Sequence, residues 1–475
     1  MGRRLAVGVA SFVVALAPGC DDAGTQPPHA CTLAPPQPSD WRLHADGTLL
    51  RDALGRIVFL RGVDAGGRSK WAPYMPFEYT DFGSALGTYL DRAASWGIDA
   101  IRVPFTWAAL EPTEGTYDWD WLSRYQQLLD AAWARGIWTV VDFHQDVYSE
   151  SFCGDGFPSW TIPGAPAPHH DCPSWELEYL SDADVRHAFD AFWAPGSPVQ
   201  AKYLAAWDTM VARFAGEPGV LGFEPINEPG WGTQPVDTFE ATTLTDFFTR
   251  MIARIHAAAP KSLVFVDPVP LDGISAKTVM HRPEGDFVFA PHYYPVLSRP
   301  DTVLAGFQSW AQQGAQWNVP VWVGEFGLSH SSPVARDFLT AEFQALDATG
   351  LGGAWWEYSV ESSLWNGETN SVVASDGTEY ADAAALVRPF ARAVAGSDVT
   401  QQWDPATSTF VLSYAPAPGM QGVTEIQLPK SAYPQGHTVA MSSDGCWDDT
   451  SVPGRLLVQS GGGAGAGTTT VTVTP

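Results

Sequence analysis

Two short stretches place carboxylates where a fold alone has little use for them. In Gly222–Gly232, GFEPINEPGWG, an apolar run ends in Asn227-Glu228-Pro229, and further on Val323-Gly324-Glu325-Phe326-Gly327 closes another apolar run with a second glutamate. Four more runs end in a similar way: Ile101-Arg102-Val103-Pro104, Val141-Asp142-Phe143-His144-Gln145-Asp146, Ala290-Pro291-His292-Tyr293-Tyr294 and Trp355-Trp356-Glu357-Tyr358. One polar strand end means little, because every strand must stop. A whole set carrying Arg, His, Glu, Tyr and Trp is not explained by stability. It suits glycoside hydrolysis, in which two carboxyl groups flank the scissile bond. A separation of about 5–5.5 Å gives retention, and about 6.5–9.5 Å admits the water of an inverting enzyme. In such a set Glu228 and Glu325 are the reacting pair. Arg102 and Tyr294 are the partners of a nucleophilic Glu325, His292 positions the acid/base, Asn227 reaches a sugar 2-hydroxyl and Trp356 offers a stacking floor. Glu224 lies four residues before Glu228, inside the strand, and reads as scaffold.

These residues need a frame that brings strand ends together. Short β-rich runs occur at Ile57–Val63, Ala100–Pro104, Trp138–Phe143, Val220–Pro225, Leu263–Asp267, Phe287–Ala290, Val321–Gly324 and Gly353–Trp356. Between them, stretches such as Ser123–Arg135, Lys202–Phe214, Thr245–Ala259 and Ala335–Ala348 repeat apolar residues every three or four positions, the period of a helix packed on a sheet. Strands alternating with helices predict an α/β protein with a parallel (β/α)8 TIM barrel, whose strand C-termini share one mouth. Arg42–Asp46 and Thr48–Arg51 flank an Asp46-Gly47 turn and predict a hairpin under it. The segment from Asp146 to Gln200 has no strand signal but carries Trp160, Trp175 and Trp193, which predicts an ordered loop over the mouth. After Gly396 the runs Thr409–Tyr414, Thr424–Leu428, His437–Ala440, Leu456–Gln459 and Thr469–Thr474 alternate apolar and polar residues, the pattern of a small antiparallel β-sandwich. The expected organisation is a signal peptide over 1–20, a flexible linker over 21–42, a catalytic barrel over 43–395 and a sandwich over 396–475.

The ends of the chain and its charge bound where it works. Gly2-Arg3-Arg4, the apolar run Leu5–Ala17 and Cys20 behind Leu16-Ala17-Pro18-Gly19 resemble a bacterial lipoprotein signal, with Cys20 lipidated; plain secretion is the other reading. Either way the expected place is outside the cytoplasm, on a membrane (periplasmic or at the cell surface) or free. Four cysteines then remain, and proximity in sequence suggests pairing Cys153 with Cys172 and Cys31 with Cys446, one of three connectivities. The net charge of −27 disfavours nucleic acid as a partner. His169-His170 lacks a third ligand at metal-site spacing, so no metal and no cofactor is expected.

The set Arg102, Asn227-Glu228-Pro229, His292, Tyr294, Glu325 and Trp356 resembles glycoside hydrolase family 5 over about residues 43 to 395. The resemblance implies that Glu228 is the acid/base and Glu325 the nucleophile. VVDFHQDVYSE (140–150) and RGVDAGGRSK (61–70) are similar to segments of its endoglycoceramidase and endogalactosylceramidase branch, which also ends in a small β-sandwich. The branch implies cleavage between glycan and ceramide, with Lys70, His144 and Asp146 on the sugar. Asp64 departs from it, standing where those relatives usually carry Asn. Trp160 or Trp193 is expected to line the sugar site, and Met75, Phe77 and Tyr79 either line a lipid groove or pack under a loop. The alternatives are a β-glucanase or β-mannanase of the same family, or a non-catalytic sugar-binding lipoprotein.

Overall fold

The computed structural model describes residues 28–475 except 38, 418–419, 421 and 462–466. The expected signal peptide, Cys20 included, and residues 21–27 of the expected linker lie outside the described residues.

Eight parallel strands form the barrel: β1 (Arg61–Asp64), β2 (Ala100–Phe105), β3 (Trp138–Phe143), β4 (Val220–Glu224), β5 (Leu263–Val266), β6 (Val288–Phe289, continued by His292–Tyr293), β7 (Trp322–Phe326) and β8 (Gly352–Trp355). β8 pairs with β1, and a bridge from Phe289 to Val321 joins β6 to β7, so the sheet closes on itself. The interruption in β6 falls at Pro291, which has no N–H for a neighbouring strand.

Helices α1 (Phe82–Trp96), α2 (Trp119–Trp133), α3 (Pro198–Phe214), α4 (Thr245–Ala258), α5 (Pro270–Ser275), α6 (Pro300–Trp317) and α7 (Ala335–Thr349) return the chain after β1 to β7. Asp81, Asp118 and Ser197 start α1, α2 and α3 by accepting backbone N–H groups that have no partner within the helix. Leu90, Leu129, Phe214, Phe248 and Phe307 bury the inner helix faces against the outside of the sheet.

Side chains alternate along each strand. Ala100, Val140, Leu221, Phe265, Trp322 and Ala354 fill the lower interior, and Leu43 and Leu50 of the expected hairpin close its floor. Two residues further along their strands, Arg102 and Asp142 stand on the same inner face, higher up.

The run Ile57–Val63, expected as one strand, is divided. Ile57–Val58 pairs with Phe390–Val394 of the C-terminal sheet, and the barrel starts only at Arg61. Its apolar residues serve two cores: Phe59 faces the sandwich interior and Leu60 the barrel interior.

The sandwich packs a sheet of Gly396–Asp404, Thr409–Pro416, Thr469–Thr474 and Thr438–Met441 against a larger one. The larger sheet takes in Phe390–Val394 and strands from before the barrel, so the sandwich is built from more than residues 396–475. The described part of 28–42 is likewise no free tether. His29–Ala30 pairs with Gly445–Asp448, Cys31 is bonded to Cys446, and the Leu33 N–H donates to Asp448 at 2.8 Å. A polar, proline-rich stretch carries no sign of this, because its partner strand lies at the other end of the chain.

Barrel and sandwich are joined by a buried cluster around Glu425. Its carboxylate accepts from Arg56 at 2.7 Å and from Arg455 at 2.9 Å, and Arg392 lies at 3.8 Å. Burial alone would raise the Glu425 pKa, but the guanidinium groups of Arg392, Arg56 and Arg455 outweigh it and hold the value below 4.5. Its stabilising contribution is therefore present above the unfolded-state value of 4.5 and lost as pH falls through the depressed native value. Glu425→Ala removes the carboxylate these cations share, leaving Arg56 to Asp52, Arg392 to Asp99 and Arg455 to solvent. It is expected to destabilise the protein by about 1–3 kcal/mol, read as a lowered thermal midpoint at neutral pH, with the gap to the parent narrowing in acid.

Candidate active site

At the barrel mouth the strand ends converge on Arg102, which is fully buried on β2. Its Nε and Nη2 donate to the two oxygens of Glu224 at 2.8 and 2.9 Å. Nη2 also donates to Asn227 Oδ1 at 2.7 Å. Nη1 donates to Glu325 Oε1 at 2.7 Å and to Asp64 Oδ1 at 3.2 Å. Asp142 stands 3.2 Å away. One cation thus faces four carboxyl groups, and not all of these hold a charge there. Burial pushes Glu224 up to about 7 and Asp64 well above the usual carboxylate range, against the pull of Arg102 in both cases. A protonated Asp64 has nearly the shape and the neutrality of asparagine, which makes physical sense of the sequence difference at this position.

Glu325 completes its shell with the Tyr294 hydroxyl, which donates to Oε2 at 3.0 Å. Glu228 has different surroundings. Its Oε1 meets His292 Nδ1 at 2.8 Å. Burial, then the charge of Asp146, raises its carboxyl to about 8, so it holds a proton at neutral pH. Burial lowers His292 to about 4, so that ring is neutral. One oxygen of Glu228, one of Glu325 and a ring nitrogen of His292 all lie within 4.8 Å of one another. Such a close approach suits a retaining pair.

Glu228 sits at φ 41°, in the left-handed region that a non-glycine residue adopts only when its surroundings hold it there. Its N–H donates to Asp267 Oδ2 at 2.8 Å, and its carbonyl accepts from Gln145 Nε2 at 2.8 Å. Asn227 is held by its N–H to the Phe143 carbonyl and by Nδ2 to the Gln145 carbonyl, which leaves one amide hydrogen uncommitted.

A second polar group borders the first. Lys70 Nζ donates to Asp146 at 2.7 Å and lies over the rings of Trp365, Trp356 and Trp175 at 4.0, 4.5 and 5.2 Å. Burial works against its charge, but Asp146, Glu368 and Asp155 more than compensate and raise its pKa. His144 meets Asp142 at 2.9 Å and lies parallel to Trp356 at 5.0 Å. A Cβ on Gly66 would stand 2.6 Å from the Trp356 ring, so only glycine lets the loop after β1 approach so closely.

The cleft between these groups has a volume of about 400 Å³. Lys70, Asp146, Glu228, Tyr294, Glu325 and Trp356 line it, whereas Arg102, His144, Asn227 and His292 stand directly behind the lining. Trp356 is 2% exposed, which leaves a sliver of indole rather than a broad floor. The loops after β3 to β6 give the lining a mainly apolar wall: Leu180, Trp231, Pro270, Leu271, Ile274 and Val296, with Glu176 and Tyr179 beside Leu180.

The long loop does overhang the mouth, and Cys153 is bonded to Cys172 within it. Asn366, from beyond β8, reaches the backbone of both cysteines, at 2.6 and 3.1 Å. The tryptophan that this loop gives the cleft is Trp175, neither Trp160 nor Trp193. Trp160 turns outward to Trp107 and the Glu111 carbonyl, and Trp193 braces the Gly230 carbonyl from behind. Met75 and Phe77 are packed in the core, and Tyr79 is packed against it; none of the three lines the cleft. Asp267, Gln145 and Glu368 were not singled out by sequence reasoning. Asp267 carried the same signal as its neighbours, a polar residue at a strand end, whereas Glu368 lies in a loop with no signal at all.

Among the described residues, four side-chain groups have metal-like spacing: Cys153 with His169 and Cys172, His144 with Asp146 and Asp155, Glu224 with Asp267 and His292, and Glu228 with His292 and Glu325. In the first, the two sulfurs are bonded to each other. In the others Lys70 or Arg102 already pairs with a member carboxylate, so the arrangement binds polar ligands with its own cations.

A closed (β/α)8 barrel with two glutamates face to face at its mouth defines a retaining glycosidase. Residues 63–362 match the family described as cellulase (glycosyl hydrolase family 5), and 388–473 match the glycoside hydrolase family 5 C-terminal domain. The chain belongs to glycoside hydrolase family 5. It is 27% identical to endoglycoceramidase I of Rhodococcus hoagii (strain 103S), over 88% of this chain and 85% of that protein. Its fold is similar to that of endo-glycoceramidase II from Rhodococcus sp., including a lactosyl-enzyme intermediate (27% identity, TM-score 0.75) and a ganglioside GM3 complex (26%, TM-score 0.74). Each of these alignments covers 90% of this chain and all of the other.

Proposed function

We propose that this enzyme cleaves the β-glycosidic bond between glycan and ceramide in glycosphingolipids, with Glu325 as nucleophile and Glu228 as acid/base. The observation that carries the reading is the mixed lining of the cleft: Lys70, Trp356 and Glu368 from the loops after β1 and β8, and a mainly apolar set from the loops after β3 to β6. A glycolipid has that division, with the scissile bond at its boundary. The similarity to endoglycoceramidases, one of them held as a lactosyl-enzyme intermediate, supports it.

In the first step a Glu325 oxygen attacks the anomeric carbon while the glycosidic bond breaks, and Glu228 gives its proton to the departing ceramide oxygen. In the neutral tautomer that carries its proton on Nδ1, His292 donates to Oε1 and the acid proton of Glu228 sits on its other oxygen. As positive charge spreads over the sugar ring, the free amide hydrogen of Asn227 meets the 2-hydroxyl, a contact that strengthens toward the transition state. In the second step Glu228 takes a proton from water, the hydroxide adds to the anomeric carbon, and Glu325 leaves with its electron pair. Lys70, Asp146 and His144 hold the hydroxyls of the first sugar. A polysaccharide substrate has no use for the apolar wall, which favours the lipid aglycone over a β-glucan or β-mannan.

The protein is further proposed to be exported and held to a membrane through lipidated Cys20. In support, the four other cysteines are paired as disulfides, bonds that persist in oxidising compartments. Mass spectrometry of the mature N-terminus is expected to find an acylated Cys20, and an unmodified N-terminus elsewhere would refute the anchor.

Glu228→Gln is expected to lower kcat on a glycosylceramide by about 10²–10⁴-fold with the thermal midpoint nearly unchanged; undiminished hydrolysis would remove Glu228 from the acid/base role. A mechanism-based fluoro-sugar is expected to leave its glycosyl group on Glu325, as peptide mass mapping will read. Because the first step needs Glu228 protonated, kcat/KM is expected to fall as pH rises through about 8. Glu228→Gln should lose that alkaline limb.

A further inference from the structure

The apolar wall of the cleft does not stop at its rim. Leu180, Ile274 and Val296 line the cavity and also reach solvent, at 54%, 42% and 79% exposure. Beside them Leu177 and Leu297 stand 57% and 67% exposed. These five side chains come from three separate loops, after β3, β5 and β6, on the same side of the mouth. An isolated exposed leucine needs no explanation, but a group continuous with the wall of a binding cleft marks an interaction surface.

We infer that Leu177, Leu180, Ile274, Val296 and Leu297 form a docking surface for an electrically neutral lipid bilayer, which presses the cleft mouth to the membrane so that an aglycone passes from bilayer to cleft without crossing water. The inference rests on the glycolipid reading above and goes beyond it, from a substrate subsite to a second interface. Three observations favour a lipid occupant. The patch is continuous with the wall proposed to take the aglycone, so a chain leaving the bilayer stays in apolar contact throughout. The charges beside it are mostly acidic or self-paired: Glu176 and Glu178 flank Leu177, Arg299 is bonded to Asp301 at 2.6 Å, and Lys277 near Ile274 is, among the described residues beside the patch, the single exposed cation without an ion pair. With −27 on the whole chain, attraction to anionic lipid is absent and apolar burial must carry the contact. The loops lie on the rigid barrel, and α5, which presents Ile274, is tied to the active-site strand by the Tyr294 N–H to the Gly273 carbonyl at 3.0 Å. Docking therefore leaves the catalytic geometry undisturbed.

The test compares two forms of the full chain, both carrying Cys20→Ser so that no acyl anchor floats them; one also carries Leu177→Asp and Leu297→Asp, exposed positions outside the cleft lining whose change leaves the core intact. Flotation with phosphatidylcholine vesicles needs no catalysis, and the substituted protein is expected to lose at least about tenfold in bound fraction. Hydrolysis of a glycosylceramide embedded in those vesicles is expected to fall by a similar factor, while hydrolysis of a monomeric short-chain glycolipid stays unchanged. Equal flotation of the two proteins overturns the docking surface. So does a parent dimer that the substitutions dissolve in sedimentation velocity, which would assign the patch to a second copy of the chain. If the parent floats with vesicles yet hydrolyses neither glycolipid, the surface stands and the substrate reading falls.

Discussion

The Arg102 guanidinium sets the arrangement at the barrel mouth. A buried cation is tolerable only when its charge is matched and its N–H groups are used. Here the partners are Glu224, Asn227, Asp64 and Glu325, with Asp142 in range, and they come from β1, β3, β4 and β7 and the turn after β4. Satisfying one side chain therefore fixes how the strand ends sit relative to one another. The rigid fork of arginine suits this, since Glu224 is held by two parallel hydrogen bonds that also set the plane in which Nη1 reaches Glu325.

From that hub the two facing glutamates, Glu228 and Glu325, diverge. Glu325 takes donors from Arg102 and Tyr294, which complement negative charge. Glu228 is kept off the guanidinium, near Asp146, against a neutral imidazole, and retains its proton to about pH 8. Two identical side chains a few ångströms apart thus take opposite parts through their surroundings, the general way one site runs acid and nucleophilic chemistry together. The left-handed backbone at Glu228, pinned by Asp267 and Gln145, aims the acid at its partner.

The rest of the fold serves this mouth indirectly. Leu43 and Leu50 stop the barrel floor, and the strands around them continue into the sandwich sheet, so described segments from before and after the barrel meet beneath the site. Above it, the disulfide-clamped loop supplies Trp175, Tyr179 and Leu180. The cleft thus takes most of its lining from loops, Glu325 from β7 and Glu228 from the turn just beyond β4.

Much of this was legible in the chain itself. Glu228, Glu325, Arg102, His292, Tyr294 and Trp356 were read because each follows an apolar run, and a parallel barrel turns every such ending toward one axis. Residue type and position along a strand are local properties, so the sequence by itself determined the barrel, the place of Glu228 and Glu325 at its mouth and the burial of Glu224 behind them. It did not determine the sandwich strands taken from before the barrel, the choice of Trp175 over Trp160 and Trp193, or the burial of Met75 and Phe77. Those depend on contacts between segments far apart in sequence, such as Cys31 with Cys446 and Asn366 with Cys153 and Cys172. The same holds for the proton on Glu228: its raised pKa comes from burial and from Asp146, and both exist only once the chain is folded around it.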